Sequence, residues 1–438
     1  YVVTRDSDLP EQGVLPEQGV LPEQGVLTEQ DAHPEPVARP EPVAHPDNRF
    51  RGCSSLPWIR VDLPSFEAIK ADPKALMETT LTCLEKFRPD YRMVQACEKR
   101  WVVINPPQPP LSESGMDAVY DLPYRYLPHP SYREAIPAFE MIRFSVTISR
   151  GCPGGCSFCA LSLHQGRIVQ SRSPSSIVRE IDRLRHQPGF KGYIKDLGGP
   201  TANLYRVHYR NPDQCRRCRR LSCLFPSLCS NFQFDSDLLI DLYRQVRRIP
   251  GIKKAFVTSG IRYDLVTTAY LKELVQHHIS GQLKIAPEHL APHVLELMHK
   301  PSRQVLESFL NEYTRLNREA GLKQFVVPYY ISGFPGCRDE DMLELRSFFS
   351  RLGFQPQQIQ DFLPIPMTLA TAMYYTETTP DGKKRLTVAK GEKAKRHQKE
   401  LLFRTGKSDR MGSDKSRSRR PGQSDFDTTV GRRRVVKK

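Results

Sequence analysis

No run of 18 or more apolar residues occurs in this 438-residue chain, so no stretch reads as a transmembrane helix. The N-terminal residues have neither a basic n-region nor an apolar h-region, so no secretory signal is indicated. A cytoplasmic location is expected. There the 11 cysteines stay reduced, and their clustering points to metal or iron–sulfur ligation before disulfides. An evenly basic surface is also missing. The formal net charge is +16, but residues 381–438 hold 20 Lys and Arg against 7 Asp and Glu, while residues 1–380 hold 45 against 42. The excess belongs to the tail, in runs such as Arg432-Arg433-Arg434. Such a run attracts polyanions by counterion release without specificity, so a solvated end is favoured over a nucleic-acid anchor. With 39% hydrophobic and 26% charged residues, the rest is ordinary for a soluble globular protein of one large or two smaller domains.

Around residue 150 stand three cysteines where a closed metal site takes four. The stretch is Arg150-Gly151-Cys152-Pro153-Gly154-Gly155-Cys156-Ser157-Phe158-Cys159, a C-x3-C-x2-C spacing. A cubane held by three thiolates leaves one iron open to another ligand. Pro153, Gly154 and Gly155 allow the sharp turns such a loop needs, and Phe158 supplies an apolar wall. On spacing alone, a zinc knuckle or a chance cluster stays open.

The pattern Cys152, Cys156, Phe158, Cys159 resembles the cluster loop of the radical S-adenosylmethionine superfamily, C-x3-C-x-aromatic-C. The resemblance implies a [4Fe–4S] cluster whose open iron is chelated by S-adenosylmethionine. It further implies reductive cleavage of that cofactor to methionine and a 5′-deoxyadenosyl radical, which abstracts a substrate hydrogen. An external electron donor of flavodoxin or ferredoxin type is implied as partner.

In chain order, residues 9–26 repeat Leu-Pro-Glu-Gln-Gly-Val three times, and 34–46 carry a Pro-Glu-Pro-Val-Ala pattern. So many prolines and so little to bury predict a disordered segment over 1–48. Residues 49–140 read as an N-terminal cap, with a helical pattern over 66–87, a strand over 101–104, an extended proline-rich run over 105–110, and a structural His129. Residues 141–375 alternate strands and helices. Strands are expected over 142–148, 192–197, 254–259, 283–287, 324–331 and 358–363. Helices are expected over 174–187 behind Ser173, and over 235–249, 267–279, 304–320 and 339–352. Residues 376–438 read as helical and then as a disordered basic tail. The class is therefore α/β, with a parallel sheet that is either open and doubly wound or a six-unit partial barrel. The resemblance selects the partial (β/α)6 barrel, with an irregular cap and disordered termini. Either way, chemistry belongs at the carboxyl ends of the strands.

At those ends, Gly198, Gly199, Pro200 and Thr201 resemble the superfamily's glycine-rich stretch that receives the cofactor's amino group. Ser259 and Arg262 suit ribose hydroxyls and a carboxylate, the latter through its bidentate fork. For Arg262 a surface ion pair is the rival assignment. Glu288 and His289 are candidates to line a substrate cavity, and a His at a strand end is as often structural. In a long insertion over 203–232, Cys215, Cys218, Cys223 and Cys229 follow C-x2-C-x4-C-x5-C, enough to close an auxiliary zinc or a second cubane, flanked by Arg216, Arg217, Arg219 and Arg220.

Further strings narrow the resemblance to the YgiQ-type radical S-adenosylmethionine proteins, over roughly residues 50–403. They include Met141-Ile142-Arg143-Phe144-Ser145-Val146, His164-Gln165-Gly166-Arg167, Ser259-Gly260-Ile261-Arg262-Tyr263-Asp264-Leu265 and Thr371-Ala372-Met373-Tyr374. Members of that group are longer at the N-terminus, so the chain is expected to be a shortened version. The expected function is a radical enzyme of unassigned substrate, and no residue is assigned to hydrogen abstraction. The rivals are a zinc or iron–sulfur protein acting as a nucleic-acid-binding module, or an electron carrier.

Overall fold

The computed structural model describes residues 2–5, 58–352 and 358–403. The repeats of 9–26, the segment 34–46 and the tail from 404 onward lie outside the described residues, and so does the disorder expected of them.

The chain divides into two compact units, one of residues 1–72 and 86–108 and the other of 73–85 and 109–438. The first holds a four-stranded sheet in the order Val2–Arg5, Arg100–Ile104, Tyr91–Cys97, Ile59–Leu63, with the last pair parallel and the others antiparallel. Val2–Arg5 corrects the expectation of disorder across 1–48: the β-branched run Val2-Val3-Thr4 completes the sheet edge along Arg100–Ile104. Helix Phe66–Ala71 is set by Ser65, whose Oγ accepts from the Ala68 amide at 3.1 Å. The helical pattern expected over 66–87 divides at Asp72 and resumes as helix Pro73–Lys86. Residues 73–85 belong to the second unit, where Met77 joins the core.

In the second unit, six parallel strand segments are laid down in sequence order. Ser145–Thr147 pairs with Asp196–Gly198, and Tyr193–Ile194 pairs with Lys254–Ala255. Ile261 bridges Ile285, and Gln282–Glu288, Phe325–Ser332 and Gln358–Asp361 continue the order. Helices Pro174–Arg185, Ser236–Arg247, Thr268–Glu273, Arg303–Glu319 and Asp339–Leu352 intervene. Each buries one stripe at helical spacing; Ile177, Ile181 and Leu184 do so on the first. Ser173 caps that helix through the Ser176 amide at 3.1 Å, and Pro174 opens it.

Three expectations are corrected by local chemistry. The strand expected from 142 begins at Ser145, because Pro137 seeds a helix, Pro137–Ile142, that uses up Ile142. The strand expected over 254–259 is in regular register only at Lys254–Ala255; Phe256 still bonds Ile194 O and the Leu197 amide, and beyond it the amides of Thr258 and Ser259 turn to the Asp196 carboxylate. The helix expected to 279 widens into a π-helical turn over Leu274–His278.

Candidate metal and cofactor site

The three-cysteine loop leaves the end of the first core strand, where Ile148 donates its amide to Gly198 O at 2.8 Å. Its shape is fixed by bonds from far along the chain. The Cys223 amide donates to Pro153 O at 3.0 Å, Ser222 Oγ donates to Gly154 O at 2.6 Å, and His299 Nδ1 donates to Gly155 O at 2.9 Å. Ser157 donates to Met298 O at 3.1 Å and accepts from the Ala370 amide at 2.9 Å. Gly155 has φ +57°, and a Cβ there would fall 2.2 Å from Leu221 O, so only glycine lets the insertion close on the loop.

Gly154 is the cradle. A Cβ on it would lie 2.9 Å from Arg262 Nη1, 3.4 Å from Cys152 Sγ and 3.9 Å from Cys156 Sγ, so the missing side chain leaves open the space toward which two thiols and a guanidinium converge. Burial raises the Cys152 thiol pKa, and the neighbouring Cys156 adds to the rise. Burial pushes Cys159 up to about 11, with Cys156 and Cys152 adding to it. Thiols this close resist joint ionisation unless a cation offsets them. Among the described residues, no three Cys, His, Asp or Glu side chains are grouped closely enough to hold a metal ion. Two soft donors face the glycine gap with one cation beside them, and Cys159 lies within electrostatic reach of both; a set of three thiolates is the donor chemistry of an iron–sulfur cluster.

Arg262 is 10% exposed and paired with Asp264, donating from Nε to Oδ1 at 3.0 Å and from Nη2 to Oδ2 at 2.7 Å. Burial works to lower its pKa, and Asp264 together with Cys156 more than reverses this, so it stays charged. The ion pair considered as its rival is present, with Asp264, and it is buried, not on the surface. Asn203 holds the backbone there, accepting from the Arg262 amide at 2.8 Å and donating to Arg262 O and Leu265 O at 3.0 Å. Thr201 is buried, with Oγ1 3.8 Å from Cys152 Sγ.

Ser259 meets the glycine-rich stretch directly: a Cβ on Gly198 would lie 2.6 Å from Ser259 Oγ, and one on Gly199 2.8 Å from Ser149 Oγ. Pro200 is half-buried beside them. The organiser is Asp196. Its Oδ1 accepts from the Thr258 and Ser259 amides at 2.7 and 2.9 Å, and its Oδ2 accepts from Ser259 Oγ. Phe158 stands edge-on to Phe334 at 6.3 Å. His289 is fully buried; its Nδ1 accepts from the Ala291 amide at 3.0 Å and its Nε2 lies 3.4 Å from Cys337 Sγ, so of its two assignments the structural one holds. Glu288 sits at φ +68° after a register shift in its strand, and burial raises its carboxyl pKa.

The second cysteine group backs onto the first through Leu221–Cys223. Asn231 Nδ2 donates to Cys215 Sγ at 3.0 Å, and Cys223 is pushed up to about 11 by burial, with Arg167 opposing. Cys223 feels the other three thiols of the group, and Cys215 feels Cys218 and Cys229. Arg220 clasps this loop, donating to Ser222 O at 3.0 Å, Phe225 O at 3.2 Å and Ser227 O.

Beside the cluster loop opens a cavity of about 880 Å³, with Arg262 and His299 in its wall, within the usual size of ligand sites. Asp196, Asn203, Asp264 and Ser222 carry the geometry without having stood out in the sequence, because polar residues near strand ends are common. The one available signal was Asp196 opening the Asp-Leu-Gly-Gly run.

The Radical SAM N-terminal family matches residues 44–145, the Radical SAM superfamily matches 146–349, and a domain of unknown function matches 357–411. A UPF0313 protein of Bacteroides thetaiotaomicron is 45% identical over 325 residues, covering 71% of this chain and 52% of the relative. The UPF0313 protein YgiQ of Salmonella typhimurium is 44% identical over 359 residues, covering 79% and 50%. The chain thus spans about half the length of these curated relatives. A solved radical S-adenosylmethionine methyltransferase, TsrM of Kitasatospora setae, covers 56% of this chain and 42% of its own at 16% identity and a TM-score of 0.37, too loose a likeness to argue from. On the family matches and the relatives at this identity, the chain belongs to the radical S-adenosylmethionine superfamily, in its YgiQ-type group.

Proposed function

We propose that the protein is a radical S-adenosylmethionine enzyme whose [4Fe–4S] cluster is held by Cys152, Cys156 and Cys159. The observation that carries this reading is the convergence of Cys152, Cys156 and the Arg262 guanidinium on the space beside Gly154. When bound, the cluster supplies the electron that splits S-adenosylmethionine into methionine and a 5′-deoxyadenosyl radical.

The chain's own residues position and shield. Arg262, already neutralised on one edge by Asp264, keeps Nη1 free of that pair for the cofactor carboxylate. Gly198, Gly199, Pro200 and Thr201 offer backbone at close approach, and Ser259, fixed by Asp196, offers a hydroxyl to a ribose. Phe158 and Phe334 exclude water from one side. The six parallel strands are read as a partial (β/α)6 barrel over residues 141–375, with the insertion 203–232, the cap 49–140 and the segment 376–438 as appendages. Cys215, Cys218, Cys223 and Cys229 are assigned to an auxiliary iron–sulfur or zinc centre that stiffens the insertion where it grips the cluster loop.

A flavodoxin- or ferredoxin-type donor delivers the electron, and the reduced thiols this chemistry needs favour the cytoplasm. Among the described residues no helix is long and apolar enough to cross a membrane. The test is anaerobic reconstitution with iron and sulfide, reduction with dithionite, addition of S-adenosylmethionine and chromatography for 5′-deoxyadenosine. Formation that depends on Cys152, Cys156 and Cys159 supports the enzyme. An assembled, reducible cluster that yields none overturns it in favour of an electron carrier.

A further inference from the structure

The wall of the cavity beside the cluster loop carries one lone pair that the fold does not use. His299 donates from Nδ1 to Gly155 O at 2.9 Å. A carbonyl oxygen only accepts, so Nδ1 holds the proton. Burial lowers the pKa of this ring against the pull of the Gly155 bond, and a neutral imidazole protonated at Nδ1 has a bare acceptor at Nε2. That nitrogen makes no hydrogen bond among the described residues and is not sealed away from solvent. The two ring nitrogens stand on opposite edges: Nδ1 faces Gly155, which is not part of the cavity wall, whereas His299 is. Nε2 is therefore the edge turned to the cavity.

The ring is also held in place. Phe225 stacks on it at 4.9 Å and 16°, and its backbone sits at φ +57°, a conformation that a residue with a side chain keeps only where its surroundings enforce it. The charges of the wall point to the same kind of ligand. Lys300 interacts with the buried Glu288 carboxylate, Arg262 is paired with Asp264, and Arg303 is paired with Glu307 and Glu344. Each cation is thus already met by an acid. Glu296 lines the same wall, is exposed, and makes no ion pair among the described residues. Beyond its own pairs the wall therefore offers an acceptor and a negative charge, beside the apolar surface of Phe225, Leu265 and Leu295.

We propose that this cavity binds an organic amine with a flat or apolar body, whose nitrogen donates to His299 Nε2 in the field of the Glu296 carboxylate and whose body lies against Phe225 and the leucines. That this amine is the substrate rests on the enzyme reading above; that it binds does not.

The test uses the full chain, reconstituted anaerobically and titrated calorimetrically with benzylamine, with benzoate as the contrasting probe. Benzylamine binds and benzoate binds more weakly or not at all. The two bonds of the ring are separated by His299→Asn: the asparagine amide reaches the place of Nδ1 and tolerates left-handed backbone, so Gly155 O keeps its donor while Nε2 is gone. This variant keeps its iron and binds benzylamine about three- to tenfold more weakly. A measurement on the parent runs beside it. Diethyl pyrocarbonate modifies the free Nε2 of His299, read by peptide mass spectrometry, and benzylamine slows this relative to the exposed His129, a ratio that cancels any reagent the amine consumes.

The inference is overturned if benzylamine does not bind, if benzoate binds as tightly, if His299→Asn binds the amine like the parent, or if the His299 to His129 labelling ratio ignores the amine. Should His299→Asn lose its iron, the labelling of the parent alone decides. S-adenosylmethionine that by itself shields His299 and displaces benzylamine also overturns it, since the cavity is then the cofactor's. Benzylamine binding without 5′-deoxyadenosine formation upholds the site and removes the enzyme reading, and 5′-deoxyadenosine formation without benzylamine binding does the reverse.

Discussion

Removing the Asp196 carboxylate tests the site at its least conspicuous support. Asp196 takes two backbone amides, at 2.7 and 2.9 Å, and the Ser259 hydroxyl. Through them it sets the turn that carries Ser259 against Gly198. A hydrogen bond to a charged acceptor contributes about 1.5–3 kcal/mol, and an amide left unpaired costs about 1–3 kcal/mol. Asp196 is only half-buried and the three bonds share one acceptor, so they do not add fully. Asp196→Ala is therefore expected to destabilise by roughly 2–4 kcal/mol, a fall in melting temperature of about 3–6 °C for a unit of this size. Asp196→Asn keeps an oxygen for both amides and loses only the acceptor for Ser259 Oγ, so it should stand between Ala and the parent. The assays are thermal unfolding of the reconstituted protein and equilibrium binding of S-adenosylmethionine, which Asp196→Ala should weaken about tenfold or more. An Ala variant that melts and binds like the parent, or an Asn variant as damaged as Ala, refutes the assignment of Asp196 as organiser.

Other outcomes follow from the same geometry. Gly155→Ala should cost most of the bound iron, because the Cβ meets Leu221 O at 2.2 Å. Gly166→Ala, at φ +82° in open space, should cost only the left-handed strain of about 1–2 kcal/mol and keep the iron. Cys156→Ala should abolish 5′-deoxyadenosine formation, whereas Cys218→Ala should leave it detectable while lowering total metal by analysis. Arg172 is fully buried, paired with Glu180, and donates to Thr147 O at 2.9 Å. Arg172→Met should lower stability by about 3–5 kcal/mol in urea titration, and adding Glu180→Leu should restore much of it. Burial pulls His289 from 6.5 to about 4, so the unfolded chain takes up this proton first. The ring's contribution is full above pH 6.5 and is lost as pH falls toward 4, about 3 kcal/mol at most, and His289→Gln should flatten that part of the acid limb.

What the sequence disclosed depended on how local its signals were. Helix Asp339–Leu352 and the start of helix Pro174–Arg185 lay in contiguous stripes and in a Ser-Pro pair, and they stand where expected. The cysteine loop was legible because three cysteines sit within eight residues. The shortness of the Lys254–Ala255 pairing was not, because the amides beyond it are taken from afar, Val257 by His278 O and Thr258 by a carboxylate 62 residues away. The union of Cys223 with Pro153 and of Ser222 with Gly154 was equally hidden, since serine and backbone atoms carry no marker of a distant partner.

The grip of the insertion on the cluster loop has a consequence for transplantation. All three carbonyls between Cys152 and Cys156 are claimed from afar: Pro153 by Cys223, Gly154 by Ser222 and Gly155 by His299. A peptide or a grafted scaffold carrying only residues 150–159 would possess every sulfur and none of the donors that shape the turn. In such a fragment iron has to impose the loop's form at the cost of chain entropy, whereas in the whole chain that form is inherited from segments 68 to 144 residues away.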